Sequence, residues 1–112
     1  METLHEFTAR FSESVGCYYH VCDSGIFSLK KVNSDSRGSQ KVFAWVEERK
    51  KTGLFRIGTF KHLAIRAGVI DLADDITDHW RIPGVLYNVR KASAAEDFQK
   101  AVRALRAILP FK

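Results

Sequence analysis

No apolar run in this chain approaches the roughly 18 residues that a membrane-spanning helix requires, so no such helix is expected. The opening METLHEFTARF lacks a basic region followed by an apolar core and does not read as a secretory signal. Cysteine is scarce. Cys17 and Cys22 stand outside any C-x-x-C pattern, and an offset of five along a strand points them to opposite faces. They read as two free, partly buried thiols in a reducing cytoplasm. The seven glycines are scattered and G-x-G does not occur, so no glycine-rich phosphate loop follows a strand. No Ser or Cys lies in a G-x-S-x-G context. His20 sits between the cysteines, but C-x-x-H-x-C offers too few ligands at unsuitable spacing for tetrahedral zinc. These absences leave no catalytic constellation, and the expectation is a non-enzyme without cofactor or resident metal.

What is present suits a globular domain. Hydrophobic residues make up 46% and charged residues 28% of the 112 residues, and eight Phe and two Trp supply bulky core material. No internal repeat or domain boundary appears, so residues 1–112 read as one domain. A domain of this size buries roughly two thirds of its unfolded surface and needs no metal or disulfide to hold it. The formal net charge is +5. A positive surplus favours nucleic acid, acidic proteins or other polyanions as partners.

Local patterns outline the elements. Thr3 and Glu6 have capping-box spacing ahead of the stripe Leu4, Phe7, Phe11 and Val15, and Gly16 is a helix stop. CYYHVCDSGIFSLKKV reads as a hairpin around Asp23-Ser24-Gly25, and NSDSRGSQ as a loop. KVFAWVEE alternates, with Val42, Ala44 and Val46 on one face and Phe43 and Trp45 on the other. GLFRIGTF sets Phe55 and Ile57 against Leu54 and Arg56. Both faces of this pair carry large apolar groups, so the pair is expected at the centre of the sheet, covered on much of both sides. The charged hinge Glu47 to Gly53 is then their hairpin loop, with Gly53 free to take positive φ. HLAIRAGVIDL fits either a strand or a short helix, DDITDHWRIPG reads as loop, and VLYNVR as a last strand. The closing helix is framed by a second capping box, Ser93 and Glu96. Its apolar side carries Phe98, Ala101, Val102, Leu105, Ile108 and Leu109, with Lys100, Arg103 and Arg106 on the remainder and Pro110 after the stop.

Four groups of polar residues carry candidate chemistry. Asp23, Glu48 and Lys50 match the sparse D…E-x-K pattern in which carboxylates hold a magnesium ion and a lysine aids the attacking water; a solvated turn accounts for them better. Asp71, Asp74, Asp75 and Asp78 are spaced to share one helical face, as a divalent-ion site would require, but a solvated acidic loop or a helix N-terminal turn is the better account. His62 and His79 lie near polar clusters as candidate general bases, with His5 in the first helix and His20 in a strand. Basic residues form the last group. Arg49, Lys50 and Lys51 sit at one hairpin tip, Lys100, Arg103 and Arg106 on one helix face, Arg90 and Lys91 just before it, and Lys30 and Lys31 on an early strand. Such side chains neutralise phosphates and release counterions, although Lys and Arg also simply keep an amphipathic helix soluble. Tyr18, Tyr19 and Trp80 could stack bases if they face outward.

The run FAWVEERKKTGLFRIG and the later HWRIPGVLYNVRKASAAEDFQKAVRALRAIL are similar to a family of small domains of unknown function. Members of that family stand alone, occur in predicted transport proteins, or are appended to nuclease-like chains. The resemblance spans about residues 4 to 109 and rests on apolar pattern and capping spacing. The chain departs from it by ending in LPFK without the usual aromatic turn. What the resemblance implies is a compact α+β fold and a binding or accessory role.

The expectation is therefore one α+β domain: an antiparallel sheet of four or five strands packed by N-terminal and C-terminal helices. Its leading role is contact with nucleic acid or another polyanion through Arg49, Lys50, Lys51, Arg90, Lys100, Arg103 and Arg106. The alternatives are a protein-interaction or homodimer module using Trp45, Trp80 and Phe111, and a minimal metal-dependent nuclease.

Overall fold

The computed structural model describes residues 2–22, 27–32, 40–49, 53–77, 83–90 and 94–110. Helix α1 (Leu4–Val15) begins where the sequence places it. The Thr3 hydroxyl accepts the Glu6 N–H at 3.1 Å, and the Glu6 carboxylate accepts the Thr3 N–H at 3.0 Å. Both bonds satisfy helix-end donors and favour a negative charge near the positive end of the helix dipole. Gly16 closes the helix at φ +88°, a conformation that would strain a side chain.

Among the described residues six antiparallel strands follow: β1 (Tyr18–Val21), β2 (Phe27–Val32), β3 (Gln40–Arg49), β4 (Leu54–Phe60), β5 (Asp75–Thr77) and β6 (Gly84–Val89). Their order across the sheet is β1-β2-β3-β4-β6-β5, so β3 and β4 are central as their apolar residues require. Helix α2 (Lys61–Arg66) and a short 3-10 turn at Ile70–Leu72 carry the chain from β4 towards β5, and α3 (Ala94–Ile108) closes the described chain. Gly68, at φ +72°, ends the helical stretch after α2 and resolves the ambiguity of HLAIRAGVIDL. No described helix is long and apolar enough to cross a membrane.

The α+β class stands, with one strand more than expected. The extra strand is β5, whose DIT segment reads as loop because Asp is a poor strand former. It forms because Asp75, Ile76 and Thr77 pair with Leu86, Val85 and Gly84 of β6. The charged hinge is also shorter than expected. Glu47, Glu48 and Arg49 are strand residues opposite Arg56, Phe55 and Leu54, and only after Arg49 does the chain turn. Gly53 takes φ +67° and donates its N–H to the Arg49 carbonyl at 2.8 Å. The predicted turn at Asp23-Ser24-Gly25, the loop at 33–39 and the cap residue Ser93 lie outside the described residues.

The three described helices all pack on one face of the sheet. Phe7, Phe11 and Val15 of α1, Leu63 and Ala64 of α2, and Phe98, Ala101, Leu105 and Ile108 of α3 form one core with Leu29, Ala44, Val46, Ile57, Val85, Tyr87 and Val89. Aromatic rings lie at its centre: Phe7 stacks on Phe55 at 4.4 Å, and Phe98 meets Phe11 edge-on at 5.5 Å. Such pairs add about 0.5–1.5 kcal/mol each beyond their burial. The Arg10 guanidinium caps the cluster, 4.2 Å over the Phe98 ring, and is itself fixed by Glu2 through bonds of 2.9 and 3.0 Å.

Strict alternation fails once, in β3. Leu29 of β2 faces Ala44, but the next residue, Lys30, faces Val42, which leaves Phe43 as the extra residue of a β-bulge. Phe43 therefore joins Ala44 on the helix side, fully buried, and does not share a face with Trp45 as simple alternation predicts. The Thr59 hydroxyl donates to the Phe43 carbonyl at 2.8 Å inside the core.

Trp45 remains on the opposite face, where none of the described helices lies. Its row across the sheet is His20, Ser28, Trp45, Gly58 and Leu86. The indole occupies the space above Gly58, where any Cβ would run into it, and its far edge reaches to the position above Gly84. Phe60 flanks it at 6.0 Å. Leu86, in the same row, is only 5% exposed. A Gly58→Ala substitution forces the ring off the sheet and is expected to lower stability by about 1–3 kcal/mol. Urea denaturation checks this, and an unchanged midpoint would contradict the placement.

Candidate binding surface

The five described basic residues of the seven singled out in the sequence fall into two groups. Arg49 ends β3, and the last β4–β6 pair, Phe55 with Val89, puts Arg90 at the same end of the sheet. Lys50 and Lys51 lie outside the described residues. Helix α3 runs back along β6 from that end: Asp97 bonds to Arg90, and one turn later Lys100 reaches Asp74, whose carboxylate also holds the Asn88 N–H. Arg103 starts about 14 Å along α3 from Ala94 at ~1.5 Å per residue, so it and Arg106 stand well away from the end of α3 that lies beside Arg90.

Arg90 and Lys100 are held by carboxylates. Arg90 makes a forked pair with Asp97, its Nε 3.0 Å from Oδ2 and its Nη2 2.8 Å from Oδ1, while its backbone N–H donates to Oδ2 at 2.7 Å. Hydrogen bonding to Asp97 raises the Arg90 pKa further above its ordinary value. Asp97 is only 4% exposed, in the first turn of α3, so this charge is buried with its partners supplied. Lys100 donates to both oxygens of Asp74 at 3.0 and 3.1 Å, with both side chains largely covered. The spacing of Lys100 on the helical wheel correctly puts it off the apolar stripe, but carries no sign of Asp74, 26 residues earlier.

Arg103 and Arg106 are exposed on the outer side of α3, one turn apart. Arg49 is exposed at the sheet end. Lys91 and the side chains of Lys30 and Lys31 lie outside the described residues. Of the aromatic candidates, Tyr18 is 56% and Tyr19 38% exposed, and Trp80 lies outside the described residues. Trp45, a candidate dimer contact, is instead turned onto the sheet; Phe111 lies outside the described residues.

The acidic residues do not share a helical face. Asp71 is in the 3-10 turn, Asp74 in a bend and Asp75 in β5. Asp78 lies outside the described residues. Asp74 instead acts as a clip joining β6 to α3, and its own N–H donates to the Leu86 carbonyl at 2.8 Å. Among the described residues no group of three or more His, Cys, Asp or Glu is placed to hold a metal ion. Asp23 and Lys50 of the nuclease-like pattern lie outside the described residues, and Glu48 is exposed near the end of β3. His62 is exposed with its ring stacked on Phe60 at 5.9 Å, His5 bonds to the Tyr19 hydroxyl at 3.1 Å, and His20 is exposed on β1. His79 lies outside the described residues.

Both cysteines are free thiols. Cys17 packs against the helix-side core, whereas the Cys22 sulfur lies 3.0 Å from Ser28 Oγ, in the row of Trp45; the two flank β1 on opposite faces as the offset of five predicts. Burial pushes the Cys17 thiol up to about 12 from an ordinary 9.0. Burial and the nearby Asp74 charge push Tyr87 up to about 12 from 10.0, and its hydroxyl donates to the Val69 carbonyl at 3.0 Å.

Two outcomes follow. Asp97→Ala strips acceptors from the Arg90 backbone and guanidinium together and is expected to cost about 2–3 kcal/mol in urea denaturation, with Asp97→Asn milder; a loss near zero would contradict the joint. The pH dependence has a definite sign, since Cys17 and Tyr87 bind their protons more tightly when folded. Their contribution is complete below about pH 9 and is lost as pH rises towards about pH 12, so urea midpoints fall across that window. A midpoint that is flat there, or rises, would contradict the burial.

Comparison with protein-family models, curated proteins and solved structures gives no match to this chain.

Proposed function

We propose that the chain is a non-catalytic binding module that engages nucleic acid or another polyanion through Arg103 and Arg106 on the outer face of α3. Arg49, Lys50 and Lys51 at the β3–β4 hairpin add a second basic group. Arg90 and Lys100, already engaged by Asp97 and Asp74, act as struts that hold α3 against β6. One observation supports this reading above the rest. Arg103 and Arg106 project from a helix whose opposite stripe, Ala101, Leu105 and Ile108, is buried in the core, so the helix cannot roll to hide them. Residues three apart on a helix sit about 5–6 Å apart at Cβ, which lets two guanidiniums fork onto neighbouring phosphates. The formal charge of +5 supplies a long-range attraction of the same sign.

Fluorescence anisotropy with labelled mixed-sequence DNA and RNA tests the reading. Binding is expected at low salt and weakens as salt rises. The double substitution Arg103→Glu and Arg106→Glu is expected to lower affinity by about tenfold or more and to reduce the salt slope by about two phosphate contacts. Absence of binding at low salt, or equal binding by the double variant, would overturn it.

A further inference from the structure

Charge is divided unevenly along α3. Its first half lies beside α1, where Phe7 and Phe11 meet Phe98, and acidic groups gather there. Glu96 and Asp97 stand in its own first turn, and Glu6 and Glu13 are exposed on α1. Its second half is different. From Phe98 to Lys112 the sequence has no Asp or Glu, and Arg103 and Arg106 are exposed in that stretch.

Helix α2 meets α3 at this second half. The Lys61 N–H donates to the Pro83 carbonyl at 2.9 Å, which places the start of α2 where β6 begins. From there β6 runs for ~17 Å towards Arg90, at ~3.4 Å per residue, and α3 returns along it. Arg106 stands about 18 Å from Ala94 at ~1.5 Å per residue, and so comes level with the start of β6. There α2 packs against α3, its Leu63 and Ala64 sharing the core with Leu105 and Ile108. The sequence between Glu48 and Asp71 also lacks Asp and Glu. The exposed side of α2 carries His62, Ile65 and Arg66, with Lys61 half-buried at its start. Two acid-free runs thus converge at the end of the sheet opposite Arg49 and Arg90. Among the described residues none of Arg66, Arg103 and Arg106 is in an ion pair. Of the carboxylates that follow α2, Asp74 is held by Lys100, while Asp71 and Asp75 are exposed on the 3-10 turn and on β5.

We infer that α2 and the second half of α3 form one site for single-stranded nucleic acid. Arg66 takes phosphates together with Arg103 and Arg106, and His62 and Ile65 receive a base. This rests on the polyanion reading and deepens it by naming the kind of strand and a second helix that holds it. Charge alone suits any polyanion, but α2 offers more than charge. The His62 ring stacks on Phe60, with centroids 5.9 Å apart and planes 16° apart, and is exposed, so it presents a ring to solvent on which a base can stack. Ile65, 55% exposed, adds apolar surface on the same short helix, and Arg66 lies one turn from His62. A sulfated or carboxylated polymer brings no base to that ring, and a paired duplex keeps its bases stacked inside. The carboxylates beside the first half of α3 repel a phosphate chain and direct it towards α2.

Amide NMR of the full chain titrated with oligothymidylate at low salt tests the site without a variant. Shifts at residues 61–66 and 103–107 are expected to saturate together. Fluorescence anisotropy then separates the contacts. Arg66→Glu is expected to weaken oligothymidylate binding about threefold or more and to reduce the salt slope by about one. His62→Ala is expected to weaken it about fivefold and to leave heparin binding unchanged. Shifts on α3 that leave 61–66 unmoved, or an equal loss of heparin and oligothymidylate on His62→Ala, would overturn the inference while the polyanion reading stands. Absence of binding to every probe at low salt would overturn both.

Discussion

A large aromatic side chain on a sheet face that carries no helix must find its apolar contacts in the sheet itself. Trp45 does so by lying over Gly58 and reaching towards Gly84, with Phe60 beside it. Gly58 is therefore required by the ring, since a Cβ there and the indole cannot share that space, whereas a Cβ at Gly84 would only crowd its far edge at 3.1 Å. The bulge at Phe43 completes the division. By adding one residue to β3 it delivers Phe43 to the helix side while Trp45 keeps the other, so both faces of the central strands are filled although the described helices cover only one.

On the helix side, apolar burial is backed by polar joints whose partners are all supplied. Thr8 and Ser12 return their hydroxyls to carbonyls within α1, Thr59 bonds to Phe43, and Tyr87 to Val69. Asp97 and Asp74 are the most consequential, because each ties α3 to β6 or its continuation while discharging a cation. They also sort the basic residues into those that hold the fold and those that face solvent. Two polar atoms on the other face are less well served: Arg56 Nε and Asn88 Oδ1 are buried without a hydrogen-bond partner, the Arg56 guanidinium lying 3.9 Å from Glu47.

How much of this could be read from the residues follows from how local each signal is. The Thr3–Glu6 cap, the stop at Gly16, the buried stripe of α3 and the Gly53 turn were legible because their partners lie within a turn or two of chain. The bulge was not, because an extra residue in β3 has meaning only against the register of β2. Strand β5 was hidden because Asp75-Ile76-Thr77 has little preference for a strand and takes that form only through its ladder with β6. The hinge was overextended because Glu47, Glu48 and Arg49 look like turn residues, yet their backbones complete the β4 ladder. The basic residues were legible as a list but not as a surface: Lys100 meets its carboxylate across 26 residues of sequence.

The claim that carries most of this account is that the sheet has two differently filled faces, with Trp45 spread over the glycines of one. A NOESY spectrum of the folded chain reads that arrangement directly. Cross-peaks from the Trp45 indole N–H and ring protons to the α-protons of Gly58, and weaker ones from the far edge of the ring to Gly84, are the predicted result. An indole that instead shows contacts to Phe43, Phe7 or Phe11 on the helix side, or none to either glycine, would contradict it.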